Sequence, residues 1–159
     1  TPRLTPRGNA MGCDIHMALE RKYKGCWIGI DAFRGHAMRF PRENKFDRSY
    51  PAATGRNYAL FAKLAGVRGE GPEPRGLPDD ASELTRAETE AWDGDGHSHS
   101  WLPLSEALTA YLATIDDPVQ LLTDNDHRVK YPAYYWFGVD CERNDPEIDD
   151  YRIVFWFDN

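Results

Sequence analysis

Two short patterns concentrate side chains able to bind a metal or move a proton. Asp14-Ile15-His16 and His97-Ser98-His99 together hold three of the five histidines. In extended chain, residues two apart share a face and stand about 7 Å apart. Two such pairs on neighbouring strands would converge on one ion. Imidazole nitrogen with carboxylate oxygen suits zinc, manganese or iron and leaves positions for water and substrate. A metal held in this way lowers the pKa of its water and supplies hydroxide near neutral pH. Asp93 and Asp95, separated by Gly94, stand just ahead of the histidines as further ligands or as groups that orient them. The expected metal ligands are therefore Asp14, His16, His97 and His99, and the expected catalytic set adds Asp95. A metal-free polar cluster and an ordinary structural hydrogen-bond network are the competing readings, because acids in a DGDG run also cap turns.

A basic segment is the second chemical signal. Residues 34–56 contain Arg34, Arg39, Arg42, Lys45, Arg48 and Arg56 against Glu43 and Asp47, a local balance of 6 − 2 = +4 in a chain of net charge −7. Phe33, Phe40, Phe46 and Tyr50 accompany these bases, and Pro41, Pro51 and Gly55 interrupt regular structure. Guanidinium groups bind phosphate bidentately and stack on bases, and aromatic rings stack too. Arg34, Arg39, Arg42 and Arg56 are the candidate substrate-binding residues for a phosphorylated small molecule. The alternative is that these bases pair with the acidic stretches 79–90 and 142–150.

Composition narrows the classes of function. The chain has 159 residues, 41% hydrophobic and 28% charged, enough for one folded domain with its own core. No stretch approaches the roughly 20 apolar residues of a membrane span. The acidic balance argues against indiscriminate binding to duplex nucleic acid or anionic lipid. Three cysteines are too few for a disulfide framework and fit a reducing cytoplasm. No G-x-S-x-G, Walker A or G-x-G-x-x-G pattern occurs, which weighs against serine hydrolases, P-loop nucleotidases and dinucleotide oxidoreductases. Cys13 lies near His16 in sequence, but strand alternation sends the two to opposite faces, so a buried thiol is expected there.

The elements that must position these groups follow from periodicity. Residues 1–10 read as a poorly ordered tail or upstream extension, and 11–159 as a single domain. Cys13 to Leu19 alternates as a strand, with Cys13, Ile15, Met17 and Leu19 on one face and Asp14, His16 and Ala18 on the other. Tyr23-Lys24-Gly25 offers a turn into a returning strand at 26–30. Helices are expected at 56–66, stopped by Gly66; at 81–92, capped by Asp79, Asp80 or Ser82; and at 105–115, capped by Ser105. Residues 93–102 turn extended. The aromatic stretch 128–139 and the run 151–157 (YRIVFWF) read as strands, the latter buried on both faces. The fold class is α+β, a mainly antiparallel sheet with about three covering helices.

The blocks MGCDIH (11–16), DGHSHSWL (95–102) and RIVFWFDN (152–159) resemble an uncharacterised family of small phage and prophage proteins. RNYALFAKLAGVRG (56–69) and PRGLPDD (74–80) belong to the same pattern. The resemblance implies a phage-encoded accessory protein in the bacterial host cytoplasm, where nucleotides and defence signals are common targets. A second, motif-level likeness is to calcineurin-like metallophosphoesterases, which are similar in opening with D-x-H and closing with G-H-x-H. Their G-D-x-x-D and G-N-H-[DE] blocks do not occur here, so this likeness extends to ligand chemistry alone.

Two functional expectations follow. The first is a metal-dependent hydrolase acting on a phosphoester or phosphoanhydride of a nucleotide-like small molecule. The alternative is a non-catalytic binding module in which segment 34–56 holds a phosphorylated small molecule or a host protein.

Overall fold

In the structure, a computed structural model, residues 12–33, 56–114, 139 and 145–159 are described. They form one antiparallel sheet of four strands with three helices, a single α+β domain as the sequence predicts. Strand β1 (Asp14–Tyr23) turns through Lys24 and Gly25 into β2 (Cys26–Phe33). Both turn residues have positive φ (49° and 79°), the backbone that a two-residue hairpin with native twist requires. Helices α1 (Tyr58–Ala65), α2 (Glu83–Trp92) and α3 (Leu104–Leu112) follow, with β3 (His97–Pro103) between α2 and α3, and β4 (Tyr151–Asp158) after them. The strand order is β2-β1-β4-β3, so β4, later in sequence than the rest, lies between β1 and β3.

Alternation along the strands makes the sheet two-faced. Ile15, Met17 and Leu19 of β1 pair with Phe157, Phe155 and Ile153 of β4, and all six point into the main core. That face is covered by Leu60, Phe61 and Leu64 of α1 and Leu104, Ala107, Leu108 and Tyr111 of α3. Asn57 caps α1 by accepting the Leu60 N–H on its side chain, and Gly66 ends the helix in the left-handed conformation. The opposite face carries His16, Ala18 and Glu20 opposite Trp156, Val154 and Arg152. Helix α2 packs there, across β2 and β1. It comes close because Gly29 of β2 has no side chain: a Cβ at that position would collide with Leu84. Strand β4 is consequently buried on both sides from Arg152 to Phe157.

Of the three expected caps of α2, Ser82 is the one that serves, its hydroxyl accepting the Thr85 N–H, and the helix starts at Glu83 instead of 81. Helix α3 begins at Leu104 behind Pro103; Ser105 lies within it and donates its own N–H to Asp149 instead of capping. The 128–138 part of the aromatic stretch, the tail and most of the basic segment lie outside the described residues.

Candidate functional site

Strand pairing brings the chemistry-bearing residues to one end of the sheet, where β1 and β3 begin and β4 ends. Asp14 stands directly opposite Asp158, and His16 opposite Trp156. Two carboxylates opposite each other repel unless a counter-charge is supplied. Each has a basic neighbour: Arg56 Nε donates to Asp14 Oδ1 at 2.8 Å, and Nη2 reaches Oδ2 at 3.4 Å. His16 Nε2 approaches Asp158 Oδ1 at 3.1 Å, an ion-pair contact without hydrogen-bond alignment. The guanidinium rests on Gly12, where any Cβ would strike it. The Asp14 carboxylate, which accepts from it and lies beside it, pushes the Arg56 pKa further above its ordinary value.

His16 is 1% exposed and lies within a ladder of rings. Its centroid is 4.0 Å from that of Trp92, the last residue of α2, with planes 27° apart. Trp156 follows at 6.2 Å and 29°, and His99 at 6.1 Å from Trp156 and 16°. The ladder runs crosswise over the α2 face, one ring each from β1, β4 and β3.

The two imidazoles of H-x-H, expected to share a face, are on opposite faces. His97 pairs with Phe157, but Ser100 pairs with Phe155, so β3 carries an extra residue between them. Ser98 has φ +55°, the left-handed backbone that such a bulge uses and that non-glycine residues adopt at a cost. His97 stacks on Phe157, a core-face residue, at 6.2 Å, whereas His99 stacks on Trp156 of the other face. His97 Nδ1 lies 2.9 Å from Ser98 Oγ and Nε2 3.3 Å from Asn159 Oδ1.

Convergence of the D-x-H and H-x-H pairs on one ion also meets a spacing problem. Strand β4 intervenes, so β1 and β3 are about 10 Å apart, whereas a metal brings its ligand atoms to roughly 2 Å from itself. The Trp156 indole fills the gap between His16 and His99. Among the described residues, no three His, Cys, Asp or Glu side chains are placed to hold a metal ion. Asp95 is exposed in a single 3-10 turn at 93–95. Of the four candidate arginines, Arg56 is described; Arg34, Arg39 and Arg42 lie outside the described residues.

Neither a family model, a curated protein nor a solved structure matches this chain.

His99 is half-buried, and burial, followed by the nearby His97, holds its pKa below the ordinary 6.5. It lines an open groove of about 520 Å³ together with Pro74, Gly76, Leu77, Thr89 and Glu90. Cys13 is fully buried in the core, and burial raises its thiol pKa, as suits a packing residue. Cys26 is exposed at the far end of β1 and β2, and both thiols are free.

Sequence reasoning passed over several residues of this region. Trp92, Trp156 and Asp158 read as helix end and strand, although alternation along β4 places Trp156 and Asp158 on the face of His16. Glu20 and Arg152 form a second polar centre further along that face. Glu20 accepts from Arg152 Nε at 2.6 Å, Ser82 N at 2.6 Å and Thr85 Oγ1 at 2.8 Å. Arg152 also donates to the Asp80 carboxylate at 3.0 Å and lies over the Trp27 ring, 4.1 Å from its centroid. With every partner supplied by the protein, this network is structural.

Proposed function

We propose that the chain is a binding module for a phosphorylated small molecule of nucleotide type, captured at the end of the sheet where Arg56 lies. The observation that carries this reading is the state of Arg56. Its side chain is 41% exposed, yet two of its N–H groups are held by a nearly buried carboxylate. A guanidinium has five donors, so three are left for a ligand. Because Asp14 fixes the plane of the fork, little side-chain freedom is lost on binding. Phosphate is the group that this planar donor edge recognises best. In the phage-encoded setting that the sequence resemblance implies, the ligand would be a host nucleotide or a nucleotide signal.

Calorimetric titration with inorganic pyrophosphate, at two salt concentrations, tests the reading. The wild type should bind, less tightly at higher salt. Arg56→Gln should weaken binding about ten-fold or more, since hydrogen bonds to charged groups contribute about 1.5–3 kcal/mol. Absence of binding, or equal binding by Arg56→Gln, overturns it and leaves the host-protein alternative.

The metal-dependent hydrolase is separated by incubating nucleoside triphosphates with zinc, manganese or ferrous ion. Phosphate release that requires the ion and is lost on His16→Ala would replace the binding reading with that enzyme.

A further inference from the structure

We propose that the groove beside His99 is a seat for a planar, amino-bearing heteroaromatic ring of the nucleobase class, stacked on the free face of the His99 imidazole. The inference adds a second contact to the phosphate reading and does not depend on it. Four observations meet here.

The first is the ring ladder. Trp92, His16, Trp156 and His99 lie near-parallel, and the last three step across the sheet strand by strand from β1 to β4 to β3. One side of His99 is backed by Trp156, and the ring also lines the groove.

The second is what stands at the next step. The segment before α2 runs along the outer edge of β3, where Gly76 N donates to the His99 carbonyl at 2.8 Å and Arg75 N donates to Ser100 Oγ at 3.0 Å. The residue beside His99 is therefore a glycine. A Cβ there would meet nothing within 4 Å. Where each inner strand contributes a ring, this position contributes open space.

The third is the bulge at Ser98. Counted back from Trp101, which pairs with Val154 on the α2 face, alternation brings His99 to that face and its groove; the extra residue turns His97 to the core face and leaves His99 there alone. Bulges that re-aim a side chain at the cost of a left-handed non-glycine residue cluster at functional sites.

The fourth is the groove's chemistry. Pro74 and Leu77 supply apolar walls, and Leu77 is 40% exposed. Glu90 is an exposed acceptor on the rim, and the Thr89 hydroxyl gives its proton to the Arg86 carbonyl, which leaves its oxygen as an acceptor. A rim of acceptors around an apolar slot selects a flat ring that carries N–H donors at its edge. Guanine, adenine and cytosine carry an exocyclic amino group there with two donors, where uracil has a single ring N–H; base–aromatic stacking supplies affinity with little dependence on which base it is.

The test uses nucleosides, which carry no phosphate, titrated into the full chain with 15N-labelled tryptophan. Guanosine, adenosine and cytidine should shift the Trp156 indole resonance, assigned by its loss in Trp156→Phe, with uridine weaker. His99→Ala should weaken this binding about ten-fold or more. His99→Phe, which keeps a stacking face, should retain most of it and shows that the fold is intact. Glu90→Gln should reduce the preference for amino-bearing bases over uridine. No resonance shift with any of the four nucleosides at millimolar concentration overturns the proposal, and so does equal binding by His99→Ala. Inorganic pyrophosphate added to the same samples reports on Arg56 separately. Nucleoside binding without pyrophosphate binding would refute the phosphate reading alone, and the reverse would refute this one alone.

Discussion

The Glu20 carboxylate is wholly buried and Arg152 is 4% exposed, yet neither lacks a partner. Removing one partner of such a pair strands the other charge away from water. Glu20→Ala should therefore cost about 3–5 kcal/mol in urea unfolding, and adding Arg152→Met should recover part of that loss. Nothing in the sequence joins this pair, since the two residues are 132 positions apart and Arg152 stands in a run read only as an apolar strand buried on both faces. The Asp14–Arg56 pair was half legible: both residues were candidates, but for different tasks. His99 also carries a pH consequence. Its folded pKa lies below the ordinary 6.5, so the unfolded chain takes up a proton first as pH falls. The folded state thus loses stability between pH 6.5 and the lower folded value, and the loss levels off below it. Urea midpoints measured from pH 7.5 to 5 should fall for the wild type, and less steeply for His99→Phe.

The elements with clear periodicity were legible in the sequence. The β1 alternation, the hairpin turn, helix α1 with its Gly66 stop and the doubly buried β4 all follow from apolar spacing and turn chemistry. The orientation of H-x-H did not follow, because the period-of-two rule fails where a strand carries an extra residue. No residue type around Ser98 announces the bulge; serine adopts its left-handed backbone there because the strand on either side is held in register by β4. The contact between α2 and β2 was similarly hidden, since a lone glycine in a strand does not name what approaches it. Gly29→Val should push Leu84 away and destabilise the protein by about 1–3 kcal/mol, the range for overpacked sites. Gly66→Ala should cost about 1 kcal/mol through its left-handed cap, with the same core left in place. Thermal melts of the two variants side by side would show the larger shift at Gly29 if the close approach of α2 matters more than the helix stop.

Across the described residues, one sheet serves two covers of different character. The face under α1 and α3 is a hydrophobic core, and Phe61, fully buried edge-on to Phe157, is near its centre. Phe61→Ala should lower stability by about 3–5 kcal/mol while leaving the ring ladder on the other face assembled; equal loss of the Trp156 indole signal under native conditions would contradict that separation. The α2 face holds the polar network, the ladder and the groove, so substitutions in the groove itself, such as His99→Phe, should leave the α1 and α3 core in place. The strand order carries a consequence in time. Strands β1 and β3 touch through β4, which is made after both of them. As the chain leaves the ribosome, the first hairpin can form early, but one edge of β1 waits for a partner about 130 residues downstream. Contacts so distant in sequence close slowly, and an open apolar edge invites pairing with the wrong chain meanwhile. Growth conditions that slow synthesis should then lengthen the interval in which nascent chains need a chaperone.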